Sequence, residues 1–395
     1  MLGILAINVT GFWGPPLASS SPIVPAPLSG LAAPGSISAF LAAFVLFEGK
    51  MRALFTLLFG ASMLLFIAAA ERRGASGTWL QVRRLLWLGA FGYLHYLLLW
   101  WGDILVTYAL CGLVALALRR LQTSGLVAVA LLALAGFAAL DGGAALIGVA
   151  QDARVSAGTA NAGERAAIVQ TNAHVLAKMD EDIVTAQAPF AEAVRRRVAL
   201  DPWLPLRAAR ETASETIPLM LLGMALFRSG FFSGDWSRHR LAAVALAGIG
   251  AGGAATLGLA WQVWCAGFPL RLTSAAITPW GTLPAILMGL GYAAAFMLAW
   301  PWLSRSAIGR RLALAGRVAF TNYLGTTLVM CALFSGWGLA LGVGGAHPLP
   351  RGVLPLVVLA GWGLMLAWPG WWLARFGQGP LEALWRRLTW WGVRR

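Results

Sequence analysis

Charge is scarce in this chain: only 11% of its 395 residues are Asp, Glu, Lys or Arg, against roughly 25% in ordinary soluble domains. A soluble protein of this length needs a polar shell, and with 59% apolar residues that shell cannot be built. The surface must therefore face lipid. Strict apolar–polar alternation is also missing, which excludes a membrane-spanning β-barrel. The apolar runs instead last about twenty residues, the length of a membrane-crossing helix. Cysteine is scarce too, with three (Cys111, Cys265 and Cys331) standing apart within apolar stretches. That spacing excludes a disulfide framework and a cysteine metal site. Acidic residues number 15 against 30 Lys and Arg, giving a net charge of +15. The arginines sit in short clusters between apolar runs, as loop charge that orients a membrane protein does. Nucleic acid is excluded as a partner on that reading, and the lipid bilayer takes its place.

The expected architecture is all-α: a polytopic transmembrane helical bundle of about ten spans. Met1 to Trp13 is apolar and leads to a Pro- and Ser-rich loop over residues 14–35. Ile37 to Phe47 is too short to span and runs through Glu48, Lys50 and Arg52 into a span ending near Ala70. Further spans are expected over 85–101, 104–118, 125–149, 214–227, 241–264, 282–303, 318–343 and 353–373. The organisation is an N-terminal bundle over 1–150, a polar mixed-charge segment over 151–210, and a C-terminal bundle over 211–395.

Basic clusters at Arg72/Arg73/Arg83/Arg84, Arg119/Arg120, Arg228/Arg238/Arg240, Arg305/Arg310/Arg311/Arg317 and the Arg375–Arg395 tail fall on one side. The positive-inside rule then puts both termini in the cytoplasm of a bacterial inner membrane. The 151–210 segment falls outside, long and nearly charge-balanced enough to escape that rule. Many of the 20 tryptophans lie at span ends, where interfacial anchoring is their ordinary role. Met1 to Trp13 would reach only about 20 Å as a helix, short of a ~30 Å hydrocarbon core. The first span is therefore expected to be partly inserted, or the natural start to lie further upstream.

Ionisable groups at membrane depth mark candidate sites. The stretch from Arg84 to Arg119 is too long for one crossing and basic at both ends, so it must turn back, at Gly102. Asp103 would then cap the returning helix, with His95 two turns below. His95 is a candidate general base or proton relay. Asp103 would orient it only if the hairpin is irregular, since a regular one separates the two by about 10 Å. A packed His95 and a purely capping Asp103 are the structural alternative. Glu48, Lys50 and Arg52 form a second cluster, in which Glu48 and Arg52 would pair at i,i+4 if helix continued through Gly49; interfacial snorkelling is the alternative. A broken helix here would present its ends to an ion or anionic group. The third cluster is Arg317, Asn322 and Tyr323. Arg317 either binds phosphate or serves as topology charge, and Asn322 is interhelical glue unless it binds substrate. Glu215 is read as simple N-terminal placement in its span. No metal ligand set is present.

Several stretches together resemble the YeiB-like bacterial membrane proteins: Gly3–Asn8, Phe47–Phe55, Leu58–Ala61, His95 with Gly102–Leu105, and Met220–Met224. Gly316-Arg317 with Thr321–Tyr323, and Gly379–Glu382 with Trp385-Arg386, resemble the domain of unknown function 418 of that family. Its members are sometimes described as transporters, and their N-terminal pattern resembles transmembrane acyltransferases that draw on cytoplasmic acyl-coenzyme A. An Asp-x-x-x-Arg-Gly-like stretch that usually precedes the segment beginning here at Met1 is not present, in keeping with a start further upstream. Three functions compete, the first two suggested by the resemblance. One is acyl transfer from acyl-coenzyme A to an extracytoplasmic or lipid-linked acceptor, with His95 as base and Arg317 among the phosphate ligands. A second is proton-coupled transport of a small-molecule, glycan or lipid substrate through His95, Asp103, Glu48 and Lys50. The third is a non-catalytic scaffold using the 151–210 segment as its partner surface.

Overall fold

Long runs of Leu, Ala, Phe and Val with few interior breakers favour helix, and in lipid a helix satisfies every backbone group locally. The computed structural model describes residues 1–23 and 35–393, and every regular element among them is helical. The chain opens with α1 (Leu2–Trp13), α2 (Pro16–Ser20) and α3 (Ser36–Leu46), followed by α4 (Lys50–Glu71). The hairpin α5 (Gly77–Leu98) and α6 (Leu105–Leu118) leads to α7 (Thr123–Ser156). Next come α8 (Ala162–Gln187), α9 (Phe190–Leu200) and α10 (Leu204–Arg228). The second half contains α11 (Arg238–Cys265), α12 (Leu270–Ile277), α13 (Thr282–Leu303) and α14 (Ala307–Arg317). It ends with α15 (Ala319–Phe334), α16 (Leu354–Phe376) and α17 (Pro380–Trp390). Half of the loop expected over 14–35, residues 24–34, lies outside the described residues.

Five stretches are long and apolar enough to cross a membrane: Ser36–Glu71, Thr123–Ser156, Arg238–Cys265, Leu270–Leu303 and Arg351–Phe376. A sixth is reached if α14 and α15, bent by 86°, count as one broken span. Their outward faces are apolar in the way lipid requires; Leu140 is 77% and Leu246 76% exposed. The remaining expected spans fall on α1 and α6, which are apolar but short, on α5, which carries two arginines, and on α10, which carries arginines and glutamates. Length and composition alone therefore support five or six spans rather than fixing ten.

The boundaries expected at 150 and 210 fall inside continuous helices. Helix α7 runs on to Ser156, and α10 begins at Leu204. The polar segment is built mainly of one long helix, α8, rather than several short ones. Its start is fixed by a reciprocal cap: Asn161 accepts from the Glu164 amide while Glu164 accepts from the Asn161 amide. The hydrogen bond from Arg154 and the Asn161 amide hold the Glu164 carboxyl below its ordinary range.

The segment is docked onto the bundle rather than free of it. Tyr96 donates to the Asp201 carbonyl at 2.5 Å and Tyr93 to the Pro202 carbonyl at 3.2 Å. Arg197 donates to the carbonyls of Leu97 and Leu99 at 2.9 and 3.0 Å, satisfying the C-terminal end of α5. On the opposite, arginine-rich face, α17 is pinned to α5. Arg83 donates to the Leu388 and Trp391 carbonyls, and the Trp385 indole donates to the Arg84 carbonyl.

A close helix crossing in the core joins α4 to α10. A Cβ placed on Gly60 would stand 2.1 Å from the Met220 carbonyl oxygen, and one on Gly223 2.0 Å from that of Leu57. Small residues let membrane helices approach backbone to backbone, and this crossing sets the separation of Arg52 on α4 from Glu215 on α10. Gly223→Val is expected to cost on the order of 3 kcal/mol by overpacking, read as a lowered melting temperature in detergent. Gly258→Ala, with open space around it, should leave the melting temperature unchanged.

Candidate functional site

The α5–α6 hairpin is irregular, and that irregularity decides the geometry. Helix α5 ends at Leu98 and α6 begins at Leu105, so residues 99–104 form a connection that folds back rather than a tight turn. It brings Asp103 down against the last turn of α5. The His95 ring nitrogen Nδ1 and Asp103 Oδ1 are 2.9 Å apart, and both side chains are fully buried. The second oxygen, Oδ2, accepts from the Val106 amide at 2.9 Å, so the same carboxylate also caps α6. Gly92 makes room for this, since a Cβ there would meet Asp103 Oδ2 at 2.8 Å and the Val106 nitrogen at 2.7 Å. With Nδ1 engaged, Nε2 is the nitrogen left over, and it has no partner among the described residues.

Tyr323 of α15 packs on this pair, its ring 5.3 Å from that of His95. Its hydroxyl is likewise buried and has no partner among the described residues. Two anchors place it. Glu382 of α17 accepts from the Phe320 and Thr321 amides at 2.8 and 2.9 Å, closing the N-terminus of α15. Asn322 accepts from the Trp368 indole at 2.8 Å and donates to the Met365 carbonyl at 3.5 Å. Asn322 thus ties α15 to α16, and its side chain is spent in the protein.

A cavity of about 200 Å³ opens beside Tyr323, lined among others by Asn8, Ser19, Glu48, Arg52, Trp101 and Gly102. It gathers residues from α1, α3–α4, the hairpin and α15. Ile7, Ser19 and Glu48 also border an apolar groove of about 280 Å³. Gly11, Trp100 and Trp101 also border a chamber of about 260 Å³ whose other wall is the polar segment. In that wall burial holds the Asp182 carboxyl above its ordinary range, opposed by the Lys178 ammonium 3.4 Å away. The cavity is therefore contiguous with the face that carries residues 151–210.

The Glu48–Arg52 pairing expected at i,i+4 does not form. Gly49 adopts φ +73° between α3 and α4, which breaks the helix and separates the two side chains. Arg52 instead pairs with Glu215 of α10, Nη2 to Oε2 at 3.1 Å and Nε to Oε1 at 3.4 Å. Glu215 is thus the partner that sequence spacing missed, because the pairing depends on the Gly60–Gly223 crossing. Lys50 is 1% exposed and donates to the Phe44 carbonyl at 2.8 Å across the helix break. It satisfies the end of α3 and does not line this cavity. Arg317 ends α14, is exposed, and donates to the Gly377 carbonyl at 2.9 Å. It stands outside the cavity that holds Glu48, Arg52 and Tyr323. Arg351, unassigned from the sequence, is 5% exposed and donates to the Ala18 and Ser21 carbonyls, closing α2.

The chain is 31% identical over 404 residues to the protein named "Uncharacterized protein YeiB" of Escherichia coli K12, an alignment covering 98% of this chain and 93% of that one. The chain belongs to the YeiB family. The "Uncharacterized protein YxaH" of Bacillus subtilis 168 is 27% identical over 354 residues, covering 87% and 79% of the two chains. An "Uncharacterized 39.9 kDa protein in amylase 3'region" of Bacillus acidopullulyticus is 34% identical over 124 residues, about a third of each. Residues 226–392 match the family described as "Protein of unknown function (DUF418)". No solved structure matches the chain. In this member of the YeiB family the DUF418 region supplies Tyr323, Asn322 and Glu382, while His95, Asp103, Glu48, Arg52 and Glu215 lie before it. Neither part builds the site alone.

Removing one partner of a mostly buried ion pair strands the other. Arg52→Met is expected to destabilise by about 2–3 kcal/mol, below the range for fully buried pairs because Arg52 is 27% exposed. The double variant Arg52→Met/Glu215→Gln should recover most of the loss in a denaturation cycle.

Proposed function

We propose that this protein is a membrane-embedded acyltransferase whose general base is His95. The observation that carries the reading is the buried His95–Asp103 pair, in which the carboxylate takes up Nδ1 and leaves Nε2 unpartnered. A histidine so oriented, alone at membrane depth, is the arrangement general-base catalysis uses. The acceptor would enter the cavity lined by Glu48 and Arg52 from the side of the polar segment. Tyr323 stands between that cavity and His95, so its free hydroxyl is the group to pass the acceptor's proton to Nε2. The acceptor oxygen then attacks the acyl carbonyl carbon of an acyl thioester. A tetrahedral oxyanion forms beside the Arg52 guanidinium and collapses, expelling the thiolate. The proton held at His95 neutralises that thiolate. The reading implies acyl-coenzyme A as donor and a hydroxyl-bearing glycan or lipid as acceptor.

One observation favours a second reading, proton-coupled transport: Glu48 and Arg52, the latter paired with Glu215, bring charge to a cavity inside the bundle, as a substrate site would. The two readings part in one experiment. Purified protein in liposomes is supplied with acetyl-coenzyme A and release of free thiol is followed. Acyl transfer predicts turnover that His95→Gln abolishes and Asp103→Asn lowers by about 10²–10⁴-fold. Absence of turnover, together with Asp103-dependent proton movement across the same membranes, would favour transport.

A further inference from the structure

The arginine-rich face contains a second cavity, remote from the one above. It lies between the end of α4, the middle of α5 and α17, has a volume of about 360 Å³, and is lined by Arg73, Arg84, Arg386, Phe66, Trp385 and Trp390 among others. A wider opening beside it adds Arg387. Arg84 is the informative residue. Its guanidinium is stacked between the rings of Phe66 and Trp385, 4.9 and 4.5 Å from their centroids. Among the described residues its one hydrogen-bond acceptor is Gln81 Oε1, at 3.4 Å, so most of its N–H donors have no protein partner there. No carboxylate among the described residues lies within ion-pair distance of Arg73, Arg84, Arg386 or Arg387.

The one acid in the wall, Glu382, is already engaged. Its oxygens accept from the Phe320 and Thr321 amides and the Thr321 hydroxyl. An arginine needed only for membrane orientation would extend into water. This one is held over two aromatic rings with most of its donors open, which is how a guanidinium is held ready for a planar, bidentate oxyanion. Arg73 stands over the Trp390 ring at 5.9 Å, repeating the pattern at the rim.

We propose that this cavity binds a phosphate ester, with Arg84 as the fixed ligand and Arg73 and Arg386 closing on it. The chemistry is shared by two sources, a soluble nucleotide-type phosphate and the headgroup of an anionic phospholipid. Between this cavity and His95 lie the packed rings of Phe91, Phe320 and Trp385, the first two edge to face and the last two tilted. The proposal accordingly does not depend on the reaction assigned to His95.

Full-length protein in phosphatidylcholine nanodiscs is titrated with coenzyme A by calorimetry. In a second arm, phosphatidylglycerol retained by the protein is counted by native mass spectrometry. Saturable binding in the first arm identifies a soluble phosphate ester, and selective retention in the second a lipid headgroup; either result supports the site. Arg84→Gln should weaken the binding about tenfold or more, the loss of one charge-assisted hydrogen-bonded contact. The exposed pair Arg386→Gln/Arg387→Gln should weaken it without disturbing the fold, whereas Arg310→Gln/Arg311→Gln, removing equal charge from α14, should not. No saturable binding in either arm would overturn the proposal, as would equal loss from the α14 variant.

Discussion

A carboxyl group buried in an apolar bundle has to be compensated on both oxygens, and the way Asp103 meets that demand shapes the centre of this protein. One oxygen is met by His95 and the other by the first turn of α6. To serve both, the chain must abandon a regular hairpin, and the six residues 99–104 fold the turn back into the bundle. That depression leaves space above α5, which Trp100 and Trp101 border and the polar segment covers. The cavity and the chamber beyond it follow from the same constraint.

The rest of the molecule holds Tyr323 against this pair. Helix α15 is short and begins at an 86° bend, so its exposed first amides need an outside partner. Glu382 provides it from α17, and α17 is in turn fixed to α5 through Trp385 and Arg83. The hairpin, α15 and the C-terminal helix thus form one closed circuit of contacts. It joins the N-terminal half to the DUF418 region and explains why site residues are drawn from both.

Much of this was legible from composition and spacing. The scarcity of charge dictated helices facing lipid, and Gly49 and Gly102 marked the breaks where chemistry gathers. His95 and Asp103 stood out because ionisable side chains are rare at that depth. What could not be read depends on contacts distant in sequence. Spacing suggested Glu48 for Arg52, but the positive φ of Gly49 and the Gly60–Gly223 crossing hand Arg52 to Glu215, 163 residues away. Arg317 carried charge in the right place for a phosphate, yet it closes on the Gly377 carbonyl, while Arg84, held over Phe66 and Trp385, keeps open donors. Gly92 looked like any helix glycine until the Asp103 carboxylate was found against it.

The account rests on the nitrogen at which His95 is free to act. The chain has four histidines, few enough for selective ¹⁵N labelling and assignment by His95→Gln subtraction. Solid-state NMR of the protein in lipid then reads the two ring nitrogens of His95 directly. The Asp103 contact predicts a proton on Nδ1 and an unprotonated Nε2, with that preference lost in Asp103→Asn. A His95 carrying its proton on Nε2, or one indifferent to Asp103, would contradict the assignment of this pair as the base.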